Sequence, residues 1–548
     1  MRRWGVVAAV VAAAVLAGAG LAWWWTRDDG GPEEVARGYT AAWQRGDYAA
    51  MRALADDPPA DFAERHARMR ADLGVTSQRI TVASLGSPKD GTAGGSFEAS
   101  LTLSGGRVWT YQGTLPLVKR DGEWRVDWTP QVLHPELRDG RRLRTSRAWP
   151  ERAPIQSAEG VSLVGHSSGS VQQLVGTVGK LTAKDAKTLG APYREGDPAG
   201  VSGLQQQYER RLAGTPAQAV QVVDGDGDVV KTLRRFGGED GEPLRTTIDP
   251  DAQRAASQAL ADVDRPASLV AIRPSTGEIL AVANKPGGYN RALMGRYPPG
   301  STFKIITAAA LVADGVSPSS TVACPATTNV GGREFRNSEY HDYGTLPFRD
   351  AFAHSCNTTF ARMAVDRLGE RRLAQVAHQF GFNAPIIGGL PAVRGAFPST
   401  RDDTGLAAAS FGQGEVLASP LNIAAVAAAA ADGTWRSPRL VSAADASRAL
   451  DADGRRPEAP RRLEPRVHQA LRSLMPAVVS EGTAAGVDFP SGTAGKTGTA
   501  EFGSGARPPT HAWFAGYRGD VAFAVIVEGG GTGAEAAAPI AARFLRGL

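Results

Sequence analysis

The stretch Tyr297-Pro-Pro-Gly-Ser-Thr-Phe-Lys304 admits few local structures. Pro298 and Pro299 forbid helix before it, and Gly300 allows a sharp entry. From Phe303 the run Phe-Lys-Ile-Ile-Thr-Ala-Ala-Ala-Leu-Val-Ala is helical in pattern up to Asp314-Gly315, a stop signal. The spacing predicts a loop that turns abruptly into a helix, with Ser301 in the first turn and Lys304 on the same face. A serine hydroxyl is a poor nucleophile until a base takes its proton, and a neutral amine one turn away can do so. Backbone N–H groups at a helix start can also face a developing oxyanion. The same pair also describes a capping serine beside a solvated lysine, so this stretch does not decide alone.

Two later stretches decide it. Ser355-Cys356-Asn357 follows an apolar helical run, and Lys496-Thr497-Gly498-Thr499 precedes an alternating strand. Ser-x-x-Lys, Ser-x-Asn and Lys-Thr-Gly stand in the order shared by penicillin-binding proteins and class A β-lactamases. The chain resembles the class B penicillin-binding proteins, peptidoglycan D,D-transpeptidases, over nearly all its length after the first thirty residues. The resemblance implies Ser301 as nucleophile, Lys304 as its base and Ser355 as proton relay to the leaving amine. It implies that Asn357 binds the substrate amide and holds Lys304, and that the N–H groups of Ser301 and Thr499 form the oxyanion hole. Lys496, as a second cation, would lower the pKa of the Lys304 amine. The 496–499 strand edge can pair with an extended peptide. Gly498, without a Cβ, lets a substrate backbone approach, and Thr497 and Thr499 offer hydroxyls to a substrate carboxylate. The implied ligands are peptidoglycan stem peptides and β-lactams, with no cofactor and no metal.

A chain of 548 residues is too long for one core. The expected fold class is multidomain α+β. Residues 1–31 form a cytoplasmic tail and transmembrane anchor, 32–145 a cone-shaped domain, 146–241 a linker or dimerisation-type domain, and 242–548 the transpeptidase domain. A net charge of +5 with interspersed signs does not argue for nucleic acid. Trp4 to Trp25 carries no charge and no proline, follows Arg2-Arg3 and ends in three tryptophans. It reads as a single membrane span with the rest of the chain outside the cytoplasm, a cleaved signal peptide being the alternative. Two cysteines are too few for a disulfide framework. Cys356 in Ser-Cys-Asn could be a nucleophile or half of a bridge to Cys324; the reading taken is two free, buried thiols.

In chain order, Glu33–Gln44 is an amphipathic helix with Val35, Tyr39, Ala42 and Trp43 on one stripe. Alternating segments at 97–103, 108–118 and 124–128 are strands, the last two joined by Lys119-Arg-Asp-Gly122. With Trp124-Arg-Val-Asp-Trp-Thr-Pro and His134-Pro-Glu-Leu, this region resembles the NTF2-like N-terminal domain of certain penicillin-binding proteins, including the low-affinity resistance type. His134 reads as structural, and the cone as a spacer. In the next segment Ser157-Ala158 and Gln205 replace residues that form a family salt bridge, so both partners are expected to be absent together. Gly165-His-Ser-Ser-Gly169 imitates a hydrolase nucleophile elbow, but polar, turn-rich sequence follows it. Asp224-Gly-Asp-Gly-Asp228 imitates a calcium loop but lacks its glycine and glutamate, and reads as a hairpin turn.

Between Gly31 and the catalytic domain no segment resembles a glycosyltransferase, so the chain reads as monofunctional. A D,D-carboxypeptidase or β-lactamase would use the same residues with water as acceptor. A third reading is a non-catalytic scaffold. Other wall-synthesis or division proteins are candidate partners.

Overall fold

The computed structural model describes residues 30–138, 140–286, 288–448, 456–505 and 508–548. The expected anchor, residues 4–25, lies outside the described residues. Among the described residues no helix is long and apolar enough to cross a membrane. The chain forms two compact units. Among the described residues, one comprises residues 30–152, 181–197 and 213–241, the other residues 153–180, 198–212 and 242–548. The segment 146–241 is therefore shared between them.

The first unit opens with α1 (Pro32–Arg45), α2 (Tyr48–Ala53) and α3 (Phe62–Leu73). Its sheet comprises β1 (Ala55–Asp56), β2 (Val75–Leu85), β3 (Thr92–Leu103), β4 (Val108–Arg120) and β5 (Glu123–Asp127), ordered β1-β5-β4-β3-β2. The turn expected at 119–122 joins β4 to β5, with Arg120 opposite Glu123. Strand β4 alternates strictly between buried and exposed residues over most of its length, as a half-covered sheet requires. Helix α1 lays Tyr39 and Trp43 on the covered face, where Trp43 meets Phe97 edge-on at 5.1 Å and Phe62 meets Trp128 at 5.1 Å. Burying each such ring contributes roughly 1.5–3 kcal/mol. His134 stacks among Trp109 and Tyr111, and its Nδ1 accepts from the Glu136 N–H at 3.2 Å, a structural role. A second sheet contains β6 (Arg142–Ala148), β7 (Ala217–Val223) and β8 (Val229–Phe236), ordered β8-β7-β6. The aspartate-glycine run is the β7–β8 turn: the Asp224 carboxylate accepts from the N–H groups of Asp226 and Asp228.

The second unit is built on a five-stranded antiparallel sheet. Its strands are β9 (Ala267–Arg273), β10 (Glu278–Lys285), β14 (Ala494–Glu501), β15 (Thr510–Arg518) and β16 (Val521–Val527), ordered β10-β9-β16-β15-β14. Between β10 and β14 lie the short strands β11 (Thr321–Cys324), β12 (Arg333–Arg336) and β13 (Gly344–Pro347). Strands β9 and β16 are buried along nearly their whole length, so helices must cover both faces. Helices α4 (Pro250–Ala259) and α9 (Ala538–Arg546) pack together on one side. On the other lie α5 (Lys304–Ala313), α7 (Pro420–Asp432) and α8 (Pro465–Ser480), while α6 (Asn357–Met363) packs beside α5. Alanine-rich α7 is buried nearly all round, which small side chains allow, and Ser419 with Asn422 forms its capping box. In the shared segment, Ser157 is fully buried and its hydroxyl accepts from Glu159 and Val161 N–H groups, so it closes its own turn.

Candidate active site

Ser301 sits in a tight 3₁₀ turn, Gly300–Phe303, that runs directly into α5. The turn is fixed from both sides. The Trp513 indole on β15 donates to the Pro298 carbonyl at 3.0 Å, and the Tyr297 hydroxyl donates to the Glu528 carboxylate at 2.6 Å. Gly300 has φ +53°, and a Cβ there would stand 2.8 Å from the Thr499 carbonyl oxygen. Gly498 fits a related need. A Cβ on it would meet Thr302, Trp513 and the Pro299 carbonyl at 3.0–3.1 Å. The missing Cβ, expected to admit substrate, thus admits the Ser301 turn against β14.

Lys304 begins α5 and is fully buried. Its Nζ donates to the Ser355 carbonyl at 2.6 Å and to Asn357 Oδ1 at 2.7 Å, and lies 3.2 Å from Ser355 Oγ. Its ring neighbours are Phe360 and Phe411, at 5.4 and 5.8 Å. Burial first, and then the positive charge of Lys496, push the Lys304 amine well below the ordinary lysine range. A neutral amine has two N–H bonds and one lone pair. The two carbonyl oxygens account for the N–H bonds and leave the lone pair for a hydroxyl proton. Ser355 has φ +58°, a conformation rare for serine, which turns its carbonyl onto the lysine.

Lys496 lies on β14, an edge strand as expected, and is also fully buried. Its Nζ donates to the Thr497 carbonyl at 3.2 Å and lies over the Phe352 ring, and burial lowers its pKa to about 7. The hydroxyls of Thr497 and Thr483 share a hydrogen bond of 2.6 Å. Thr499 is exposed, and its Oγ1 accepts from the Gly533 N–H at 3.4 Å. The structure thus brings Ser301, Lys304, Ser355, Asn357 and the Lys496–Thr499 strand together. It adds Thr483, Asn337, Glu528 and Trp513, which none of the three motifs marks.

One expectation is overturned. Cys324 and Cys356 are not free thiols; they form a disulfide with a Cα–Cα distance of 6.1 Å. The cause is tertiary. Thr358 Oγ1 donates to the Pro325 carbonyl and Thr359 Oγ1 to the Ala323 carbonyl, so α6 starts against the end of β11. A spacing of 32 residues carries no trace of that contact.

The elbow-like segment is not a nucleophile site. Ser167 is exposed in a loop before a short helix, and His166 Nδ1 is used by the Ser168 N–H. Ser167→Ala is expected to leave covalent penicillin labelling unchanged within twofold, roughly the noise of a surface change. A timed fluorescent-penicillin assay checks this.

The model of the penicillin binding protein transpeptidase domain matches residues 267–546. This chain belongs to the penicillin-binding protein transpeptidase family. An NTF2-like N-terminal transpeptidase domain matches residues 31–141, and a penicillin-binding protein dimerisation domain matches 166–246. The peptidoglycan D,D-transpeptidase PbpA of Mycolicibacterium smegmatis is 33% identical over 360 residues, 56% of this chain and 72% of that protein. Penicillin-binding protein A of M. tuberculosis, solved as an imipenem acyl-enzyme complex, is 29% identical with a TM-score of 0.50, covering 56% of this chain and 80% of that one. A chain of a peptidoglycan synthase complex, solved for the coordination of polymerization and crosslinking, gives a TM-score of 0.63 at 25% identity, covering 77% and 94%. The site of this transpeptidase contains no group of His, Cys, Asp and Glu side chains that could hold a metal ion among the described residues.

Proposed function

We propose that this chain is a monofunctional D,D-transpeptidase that cross-links peptidoglycan stem peptides through an acyl-enzyme on Ser301. Lys304 takes the Ser301 proton as Oγ attacks the carbonyl between two D-alanines. The N–H groups of Ser301 and Thr499 hold the oxyanion. The C–N bond breaks, and the proton returns through Ser355 to the leaving D-alanine amine. The amine of a second stem then attacks the ester, loses its proton to the same base and regenerates Ser301. A donor strand pairs along the edge of β14, with its terminal carboxylate toward Thr497 and Thr499. A β-lactam follows the first half, but its leaving nitrogen stays tethered to the acyl group.

The observation that carries this reading is the Lys304 amine, buried and held by Ser355 and Asn357 beside a second cation. The Trp4–Trp25 segment suits a membrane anchor that holds the catalytic domain outside the cytoplasm. Because the chain reads as having no polymerase of its own, a glycan-polymerising protein is the partner it fits. The proposed domain bounds remain 32–145, 146–241 and 242–548.

Penicillin labelling of the purified protein, followed by mass spectrometry of the labelled peptide, tests the site. The acyl adduct is expected on Ser301, and Ser301→Ala is expected to abolish labelling while leaving the thermal melt within a few degrees. An adduct elsewhere, or labelling that survives in Ser301→Ala, overturns the assignment. Product analysis with donor and acceptor stem peptides separates transfer from the hydrolysis of a carboxypeptidase or β-lactamase.

A further inference from the structure

We propose that Asn337 is a positioning residue for the acylation step, fixing the Ser355–Asn357 segment around the base. The inference rests on the reading of Lys304 as that base. Helix α6 starts at Asn357, and its first N–H groups need acceptors. Its N-cap, Cys356, supplies none, because its side chain is bonded to Cys324. Asn337 does the work from another loop. Its Oδ1 accepts from the N–H of Asn357 at 2.8 Å and from that of Thr358 at 3.2 Å.

The other end of the amide is equally committed. Asn337 Nδ2 donates to the Pro325 carbonyl at 2.9 Å and to the His341 carbonyl at 3.0 Å. The oxygen thus faces N–H groups and the nitrogen faces carbonyls, which fixes the orientation of the amide. The side chain is 3% exposed, with both ends satisfied. The preceding residue completes the clamp: the Arg336 carbonyl accepts from Asn357 Nδ2 at 2.9 Å. Asn357 is therefore held at its backbone N–H by Asn337 and at its side-chain nitrogen by Arg336. Only its Oδ1 remains, and that atom holds the Lys304 amine. Ser355, two residues earlier, presents its carbonyl and hydroxyl to the same amine.

The chemistry of the alternatives is selective. Alanine removes both the cap and the two donors. Aspartate keeps the cap oxygens but turns an acceptor onto the Pro325 and His341 carbonyls. Alanine frees Asn357 and Ser355 to shift relative to Lys304, aspartate only loosens the anchor on Pro325 and His341, and a shift of about 1 Å at a reacting group costs on the order of a hundredfold.

The test measures penicillin acylation of the full chain under saturating conditions, separating the acylation rate constant from the noncovalent dissociation constant. Asn337→Ala is expected to lose about ten- to a hundredfold in the rate constant, with the dissociation constant within about threefold. Its acid limb against pH is expected to move, because the Ser355 and Asn357 oxygens that accept from the Lys304 amine have moved. Lys496 on β14 and the Phe360 and Phe411 rings face the same amine and stay in place, so they serve as the fixed background. Asn337→Asp, which keeps the cap, is expected to fall between wild type and alanine. Thermal melts give the folded fraction of each variant. A rate loss that only tracks the lost folded fraction, with an unmoved pH limb, reduces Asn337 to a stability role and overturns the proposal. So does wild-type acylation by Asn337→Ala. Failure of the wild-type protein to acylate at all would instead remove the reading of the base on which the proposal rests.

Discussion

Lys304→Arg is expected to lower penicillin acylation by about a hundred- to ten-thousand-fold, the usual range for removing a general base, while Lys496→Arg keeps measurable labelling at a reduced rate. Both lysines are fully buried, and both are pushed down by burial, so burial alone does not separate them. Their partners do. Lys304 starts the helix that the Ser301 turn runs into and is surrounded by Ser355 and Asn357 oxygens. Lys496 leans on the Thr497 carbonyl and the Phe352 ring, from which it acts by charge. A guanidinium does not give up its proton near neutral pH, so arginine at 304 abolishes the base, whereas arginine at 496 preserves the charge with a different shape. The sign with pH follows. Lys304 must be neutral to act, so wild-type acylation rises as pH climbs through its lowered pKa. Lys496→Ala removes the neighbouring charge, lets that pKa rise and moves the limb to higher pH. Stopped-time labelling with melts as a folding control measures all three variants. Equal rates for the two arginine variants would exclude Lys304 as the base and make Ser355 with Lys496 the next pair to test.

What could be read from the sequence, and what could not, divides along physical lines. The alternating β4 declares itself through local periodicity because it buries one regular face, whereas the helix after Ser301 and the closing β15–β16 pair show as continuous apolar runs because they are buried nearly all round. Strand β2 does not, since only a few scattered positions of Val75–Leu85 face the core. The three motifs mark the proposed reacting groups because chemistry restricts both residue type and spacing. The supporting residues escape, since Asn337 acts across 20 residues and Glu528 across 231, through contacts that no local pattern encodes. The cysteine pair fails for the same reason. Gly498 shows a subtler limit: the sequence tells that a Cβ is unwelcome there, but only the packing of Thr302 and Pro299 tells what it would strike.

Acid is expected to destabilise the first unit through two buried histidines. His66 is 3% exposed, and its Nδ1 donates to the Phe62 carbonyl at 2.8 Å; His134 is 6% exposed among Trp109 and Tyr111. Burial lowers both from an ordinary value of 6.5 to about 4. In the folded chain they stay neutral at pH 5, whereas in the unfolded chain both take a proton below about 6.5. The unfolded state therefore binds more protons between these limits. The associated stability is fully present above pH 6.5 and is lost as pH falls toward 4. Each histidine is worth roughly 3 kcal/mol over that window, a large share of a domain's usual 5–15 kcal/mol. Hydrogen exchange of the 62–73 and 108–118 segments in the full chain, followed from pH 7.5 to 4.5 and corrected for intrinsic rates, reports the loss where it arises. The variant His66→Phe with His134→Asn keeps an acceptor for the Glu136 N–H and removes both titrating rings. Its protection is expected to depend far less on pH across this window. An unchanged slope in the variant would assign the acid sensitivity to other groups.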